Sequence, residues 1–590
     1  MTPHDVRPAR RQISVPFAAE SGGSGPPARD GGPPTRHSGP PTRDSGPLTR
    51  GQDNMIRCIR GEAPEQSNKD SVWPVPDGTS LGAGLAALRR LVERHDSLRT
   101  AFPPGPGPDG FPAAQVVHPT GALTVTVVEA GGRSDAELDA LAEESGRTDL
   151  AVPFDLAAPP RIRFTLLADR DRLLRLAAVV CHAGADGAAT AVLIRDWHAL
   201  AAGQELPPVT APTPLEIAAA EQSTQGRRRA ANSLRHWARV LTTAPQSVFA
   251  DARIVGPPRD HGALLVRSTA AAGHLAAVCR RTSASPSVVL LAVFAALVAH
   301  RAGRGELVIS ALSANRQRAA LVDHVGTLAQ DALILLDAGV DDLDELIART
   351  KSASLGAYWH STLDAELVWQ LVEDAAHLRG TRFPRQVVVN DLSLTVPAAV
   401  IDARPAPAGD PELTPLPAPT LPARLMFTIL RIAGSLEFVL VTCPQVLDPA
   451  ETEGFARALL AVLAAAAEGP VVPAGLPGVL GPPPCARGRD WRLVDGSWVD
   501  LAAVRGLLDA TLGPHQLRLD EGRLVAELVS ADPALDPAAA HRAVVAALPG
   551  RDTAMAPHHY VVRHPAPGGE LVRAGSGRDR EIVARLSALT

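Results

Sequence analysis

Residues 173–197 read LLRLAAVVCHAGADGAATAVLIRDW, and this stretch decides how the chain is read. Leu173 to Val180 is a short, continuously apolar run, the pattern of a strand buried on both faces. A loop holds Cys181 to Ala185, and Asp186 with Gly187 then opens a helix running to Ala201. An aspartate at that point accepts free first-turn amides and sits at the favourable end of the helix dipole. His182 thus projects from a strand end, where α/β folds gather functional groups. Imidazole titrates near pH ~6.5, so a histidine there takes or gives a proton at physiological pH. On chemistry alone it is either a satisfied structural residue or a proton-handling one.

Outward from this stretch, strands and helices alternate. Leucines at 81, 85, 88 and 91 with Val92 place one apolar face on a helix over Leu81 to His95. Strands are expected at Leu123–Val128, Ile162–Leu167, Val308–Leu312, Gln386–Val389, Leu425–Leu430 and Leu436–Val441. Ser285 caps, and Pro286 starts, a long apolar helix to His300. Ala450 to Ala467 reads as a closing helix. The pattern is α/β with two comparable halves.

Breaks in this pattern are rich in proline. Ser24 to Gly51 repeats a seven-residue unit four times (SGPPARD, GGPPTRH, SGPPTRD, SGPLTRG). Its prolines and missing apolar seam exclude a coiled coil and point to a flexible or polyproline-like linker. Pro405 to Pro422 reads as a surface loop, and Gly469 to Pro484 as a domain boundary.

The chain has 590 residues, 45% of them hydrophobic and 21% charged, which is enough apolar material for several cores and too much for a disordered chain. Net charge is -5 and the 58 basic residues form no block, which argues against nucleic acid or an anionic membrane as partner. The cysteines at 58, 181, 279, 443 and 485 are odd in number and widely spaced. They indicate neither a disulfide framework nor a thiolate metal site, and suggest a reducing compartment. The opening MTPHDVRPARRQ has no apolar segment after its arginines, and the longest apolar run, Val288 to Ala299, is short of a bilayer span. A soluble cytoplasmic protein is expected. Lys69 and Lys351 are the only lysines, read here as a coding bias without functional content.

The spacing H-x-x-x-D-G at 182–187, between a buried strand and a helix, resembles the HHxxxDG motif of nonribosomal peptide synthetase condensation domains, with Cys181 in place of the first histidine. Further segments follow in family order: SGPLTRGQ at 45–52, ERHDSLRTAF at 93–102, VPFDLAAPPRIRFTLL at 152–167, SANRQRAALVDHVGTLAQDALI from Ser313, and RQVVVND at 385–391. The resemblance covers roughly 45–470. It implies two chloramphenicol-acetyltransferase-like lobes forming a V with a tunnel between them, here 45–225 and 226–470 after a disordered 1–44. Carrier proteins would bring donor and acceptor thioesters on phosphopantetheine arms, with no cofactor bound and no metal. His182 would be the active-site residue, as general base or as hydrogen-bond partner of the acceptor amine. Asp186 would be structural, paired with Arg316, and the amides near Gly187 would be candidate oxyanion donors. Arg94 and Arg99 would either shape the tunnel floor or lie on a solvated face.

The chain departs from the family at several points. Cys181 is either a nucleophile beside a histidine or a small buried residue; neighbours on a strand face opposite sides, which favours the second. Arg50 stands where an aromatic is usual, and Gln330-Asp331 near the usual asparagine. These departures imply a divergent member, expected to be free-standing, with altered or lost activity left open. From Gly488, GRDWRLVDGSWVDLAAVRGLL resembles the opening of the C-terminal subdomain of adenylation domains, as VVAALPGRDTAMAPHHYVVRHPAP from Val544 resembles a later part. Residues 485–590 are therefore read as a small α+β module. Gly568-Gly569-Glu570 replaces the family's lysine-bearing motif, which implies a relic or docking module without adenylation activity. The His558-His559 pair, without Cys or acidic partners in sequence, is read as two surface residues.

Three functions remain: an acyltransferase forming an amide or ester in secondary-metabolite assembly, a noncatalytic module that recruits partner proteins, or a CoA-dependent acyltransferase on the same scaffold.

Overall fold

A computed structural model describes residues 9–19, 44–393, 409–418, 421–472, 481–566 and 569–590. The chain divides into two units. The first runs to Arg227 and takes in Ala314–Ala329; the second comprises Arg228–Ser313 and, from Gln330, the remainder of the described chain.

The first unit is built on a five-stranded sheet of β1 (Arg10–Ala18), β2 (Asn68–Trp73), β3 (Thr120–Glu129), β4 (Ile162–Asp169) and β5 (Arg172–Cys181), in the order β1-β3-β4-β5-β2. Only β3 and β4 are parallel, joined by the crossover helix α3 (Asp135–Leu150). β4 turns into antiparallel β5 through Arg170, whose φ is 56°. One face of the sheet carries Trp73, Phe164, Leu176 and Val180. It is covered by Leu88, Leu91 and Val92 of α2 (Leu81–Arg94) and by Leu193 and Trp197 of α4 (Gly187–Ala201). Both helices present apolar residues at three- and four-residue spacing, which is why they lie flat on the sheet. Trp73 meets Phe164 edge-on at 5.6 Å. On the other face Leu138 and Ala142 of α3 pack on Val128 and Leu167.

Two readings are corrected. Within the segment expected to be disordered, Arg10–Ala18 forms the edge strand β1, with Ile13 opposite Val125 and Val15 opposite Leu123. The alternation of Ile13, Val15 and Phe17 gives it an inward face that only the partner β3 makes worth burying. The copies of the repeat at 24–43 lie outside the described residues. The last copy runs into the strand Asp44–Pro47 and then into α1 (Arg50–Gly61), where Thr49 and Gln52 form a reciprocal cap.

The second unit holds a seven-stranded sheet. Its order is Gln330–Asp337, Glu306–Ser313, Val387–Asp391, Leu425–Arg431, Leu436–Thr442, Gly262–Ser268, Glu412–Leu416. The last of these lies inside the stretch read as a surface loop. It is an edge strand, paired only with Gly262–Ser268 among the described residues, and Pro415 is tolerated because its other side carries no strand. The rest of that loop, 405–408 and 419–420, lies outside the described residues, as do 473–480 of the stretch read as a boundary. Helix Pro286–Ala302 is apolar all round and accordingly buried all round. Its Phe294 stacks on Phe427 at 4.8 Å and meets Phe455 edge-on at 5.9 Å. Among the described residues no single helix is long and apolar enough to cross a membrane.

Residues 485–590 have a core of their own, with Val504, Leu507, Leu524, Val544 and Tyr560, and a four-stranded sheet from His515 to Gly575. They are tied to the rest of the second unit by polar contacts. Asp552 accepts from Arg424 Nε at 2.8 Å and Gln386 Nε2 at 2.9 Å, and Arg585 grips Asp374 with two donors at 2.7 and 2.8 Å. His558 is not a surface residue. It is 3% exposed, its Nδ1 accepts the Leu524 amide at 3.0 Å, and its Nε2 lies 2.9 Å from Asp495, an acidic partner that only the fold supplies.

Candidate active site

β5 ends at Cys181, residues 182–184 turn, and Asp186 caps α4 with Oδ1 accepting the Ala189 amide at 2.9 Å. The strand ends here because the chain must reverse onto the helix within five residues. Gly184 makes that path available: a Cβ there would stand 2.5 Å from the Cβ of Arg161. The Gly184 carbonyl accepts from Ser97 Oγ, fixing the turn to the 3₁₀ segment Asp96–Arg99 that follows α2.

Asp186 is buried and fully used. Its Oδ2 accepts from Arg316 Nη1 at 2.8 Å and from the amides of Leu328 at 2.8 Å and Ala329 at 3.1 Å. Arg316 in turn donates to the carbonyls of Ala314 at 2.9 Å and Gly326 at 3.0 Å. One carboxylate thus stitches residues 314–329 to the start of α4. Burial alone would raise its pKa; Arg316 and the amide donors outweigh that and lower it. His324, in the same segment, donates Nδ1–H to the Pro212 carbonyl at 2.6 Å, and burial holds its pKa down at about 4.

His182 is half-buried, and its Nδ1 is shut off from solvent without a hydrogen-bond partner. Burial lowers its pKa to about 4; the charge of Lys69 adds to this and Asp186 opposes it. The ring is therefore neutral at pH 7, with an edge still open. Cys181 faces the other way, fully buried beside Ile56, Phe102 and Ala183. This is the packing role rather than the nucleophilic one.

The two arginines of ERHDSLRTAF are held within the first unit by hydrogen bonds and ion pairs rather than lying on a solvated face. Arg99 is 4% exposed and donates to the carbonyls of Val92 and His118 and to the Asp96 carboxylate, so its donors are spent within the protein. Arg94 donates Nε to the buried Asp196 of α4 at 2.9 Å, beside His95 at 3.1 Å. Both hold α2 against its surroundings. Arg50 binds Glu221 through its amide at 2.8 Å. In the second unit, Gln330 exchanges hydrogen bonds with the backbone of Leu363, and Asp331 takes two donors from Arg385 at 2.6 and 2.8 Å.

Two residues of this neighbourhood escape sequence reasoning. Arg161 is fully buried at the Cys181 thiol, with Nε and Nη1 unpaired and burial lowering its pKa. Lys69 stands on β2 opposite Val180 of β5, and its charge adds to the lowering of the His182 pKa. The scarcity of lysine was a signal, but which strand pairs with β5 is not written locally.

Comparison with known proteins agrees with this geometry. The condensation domain family matches residues 85–398, more than half of the chain, and the chain belongs to that family. It is 29% identical over 335 residues to the nonribosomal peptide synthetase agiA of Aspergillus flavus, covering 51% of this chain and 4% of that protein. It is 30% identical over 305 residues to the phosphinothricin tripeptide synthetase PhsC of Streptomyces viridochromogenes, covering 49% of this chain and 27% of that protein. The chain thus matches only a small part of either relative's length. Among solved structures, the condensation domain of the monacolin K polyketide synthase MokA superposes with a TM-score of 0.59 at 16% identity, over 73% of this chain and 98% of that one. The fold is the chloramphenicol-acetyltransferase-like fold of condensation domains.

Proposed function

We propose that the protein joins a carrier-bound acyl thioester to an amine, or to a hydroxyl, with His182 at the reacting centre. The observation that carries this reading is the neutral, half-open imidazole at the exit of β5, beside a helix start locked by Asp186 and Arg316. An imidazole with a pKa near 4 is a poor sink for the proton of an ammonium ion, since general bases work best with a pKa near the operating pH. Its contribution is to accept a hydrogen bond from the attacking amine and hold the lone pair on the thioester carbonyl. As the C–N bond forms, the carbonyl π pair moves onto oxygen. Collapse of the intermediate breaks the C–S bond, and the proton lost by nitrogen leaves on the thiol. Gly187, exposed in the first turn of α4, is where amide donors for the oxyanion would stand.

Asp186 and Arg316 are positioning residues in this reading. The substrates are phosphopantetheine thioesters on acyl or peptidyl carrier proteins. Residues 485–590 serve docking rather than adenylation, because no lysine follows Lys351. The five free cysteines suit a reducing compartment.

The test is to mix the protein with separately loaded carrier proteins and follow the condensed product by mass spectrometry. Wild type makes product and His182→Ala loses about 100-fold or more of the rate. Undiminished product from His182→Ala overturns the assigned role. Product from free acyl-CoA in place of the loaded donor would move the protein to the CoA-dependent class.

A further inference from the structure

Near the end of the chain, residues 576–579 join the strand Gly569–Gly575 to the helix Arg580–Ser587. This loop is pressed onto the helix Pro537–Ala546. Gly577 has a φ of 68°, and a Cβ there would collide with the Pro537 carbonyl and stand 2.6 Å from the Cβ of His541, so only glycine fits. On the other side the loop is tied to the helix Ala365–Arg379, where His377 Nε2 accepts the Asp579 amide at 2.8 Å. Leu586 then packs among Val368, Leu371 and Ala375 of the same helix. A loop held from both sides keeps its side chains in fixed directions. Beside it lies a cavity of about 490 Å³, lined by Leu378, Ser576, Arg578, Arg580, Val583 and Ala584.

Two guanidinium groups line this cavity and neither is paired. Arg578 is half-buried, and its Nε is shut off from solvent without an acceptor. Burial lowers its pKa, the mark of a cation held without close compensation. The carboxylates nearby have other partners: Asp495 lies 2.9 Å from His558 Nε2, and Asp579 accepts the Glu581 amide at 2.8 Å as the cap of the last helix. Arg580 is exposed and makes no side-chain hydrogen bond or ion pair among the described residues. By contrast Arg518, Arg563 and Arg585, also within 485–590, each hold a carboxylate. Ser576 Oγ accepts the Arg578 amide at 3.4 Å, which leaves its O–H free to donate into the cavity.

We propose that this cavity binds an organic phosphate, with the phosphoryl oxygens held by Arg578, Arg580 and the Ser576 hydroxyl. One guanidinium fork already satisfies a carboxylate; two forks and a hydroxyl match the three oxygens of a phosphoryl group. Leu378, Val583 and Ala584 supply an apolar wall that a free phosphate ion would leave bare, and the volume is that of a small-molecule site. The ligand therefore carries an organic part that lies on this wall. Because the wall includes Leu378, the bound ester fastens residues 576–584 to the helix Ala365–Arg379. The site belongs to the second unit and takes no part in the chemistry assigned to His182.

The experiment measures binding to the full chain by calorimetry, with AMP and 4′-phosphopantetheine as esters, adenosine and pantetheine as their phosphate-free counterparts, and inorganic phosphate alone. At least one ester binds about 10-fold or more tightly than both its counterpart and inorganic phosphate, the factor for one charge-assisted hydrogen bond. Which ester binds tells a nucleotide from a pantetheine phosphate. Arg578→Gln and Arg580→Gln each weaken that binding about 10-fold or more, while Arg518→Gln, outside the cavity, leaves it unchanged. Hydrogen exchange shows the bound ester protecting peptides within 576–584 and those containing Leu378. Failure of both esters to bind more tightly than their counterparts, or an affinity that neither cavity variant lowers, overturns the proposal. Inorganic phosphate binding as tightly as either ester overturns the assignment of an organic ligand. No condensation is involved in these measurements, so their result stands whatever the carrier assay returns.

Discussion

Replacing Asp186 with alanine removes the acceptor for four donors at once. Arg316, whose side chain is 7% exposed, is left as a buried cation without its counter-charge, and the amides of Leu328 and Ala329 lose their partner. Breaking a buried pair from one side costs about 3–5 kcal/mol, and the lost helix cap, about 1 kcal/mol alone, is contained within that range because the donors share one carboxylate. Arg316→Met should cost less, about 2–3 kcal/mol, since Asp186 keeps its three amide donors. The double variant should cost clearly less than the sum of the two, because each single change strands the other partner. Hydrogen exchange with mass spectrometric readout resolves the effect by segment. In Asp186→Ala, protection of peptides within 187–201 and 314–329 should fall by roughly 100- to 5,000-fold, the factor for 3–5 kcal/mol. Peptides of helix Pro286–Ala302 should not change. A fall below about 10-fold, or a double variant equal to the sum of the singles, would refute the account of Asp186 as the stitch between α4 and residues 314–329.

Acid should destabilise the protein between pH 6.5 and 4. His324 and His541 are buried, and desolvation holds each at a pKa of about 4; the unfolded chain takes up their protons from about 6.5 downward while the folded state refuses them until about 4. The folded state therefore has its full stability above pH 6.5 and loses about 2 kcal/mol per histidine by pH 5, read as a falling urea midpoint. An unchanged midpoint between pH 7 and 5 would contradict it. Gly184→Ala forces a methyl to within 2.5 Å of the Arg161 Cβ, and overpacking of that kind costs about 1–3 kcal/mol. A thermal scan showing no loss would mean that the turn has room to shift.

Local chemistry made much of the site legible in advance. The strand Arg172–Cys181, the cap at Asp186 and the helix Gly187–Ala201 follow from adjacent residues, because caps and periodicity act over a few positions. The same holds for Ser285-Pro286 opening its helix, and for α2 from the leucines at 81, 88 and 91. Charge pairs and strand partners are different, since they depend on which distant backbone comes alongside. Arg99 reads as a surface or tunnel residue until the carbonyls of Val92 and His118 close on it; His558 reads as exposed until Asp495 arrives from 63 positions away. Arg10–Ala18 was obscured by the proline repeats beside it, and its strand character depends on pairing with Thr120–Glu129.

By itself, then, the sequence determined most of the elements and their order, since short-range patterning sets each of these. The tertiary structure decided what surrounds His182. The amides of Leu328 and Ala329 reach Asp186 across 142 and 143 positions, and Lys69 comes opposite Val180 only through the register of β2 against β5. The protonation of a ring depends on the charges and water around it, and these are brought together only when the chain folds.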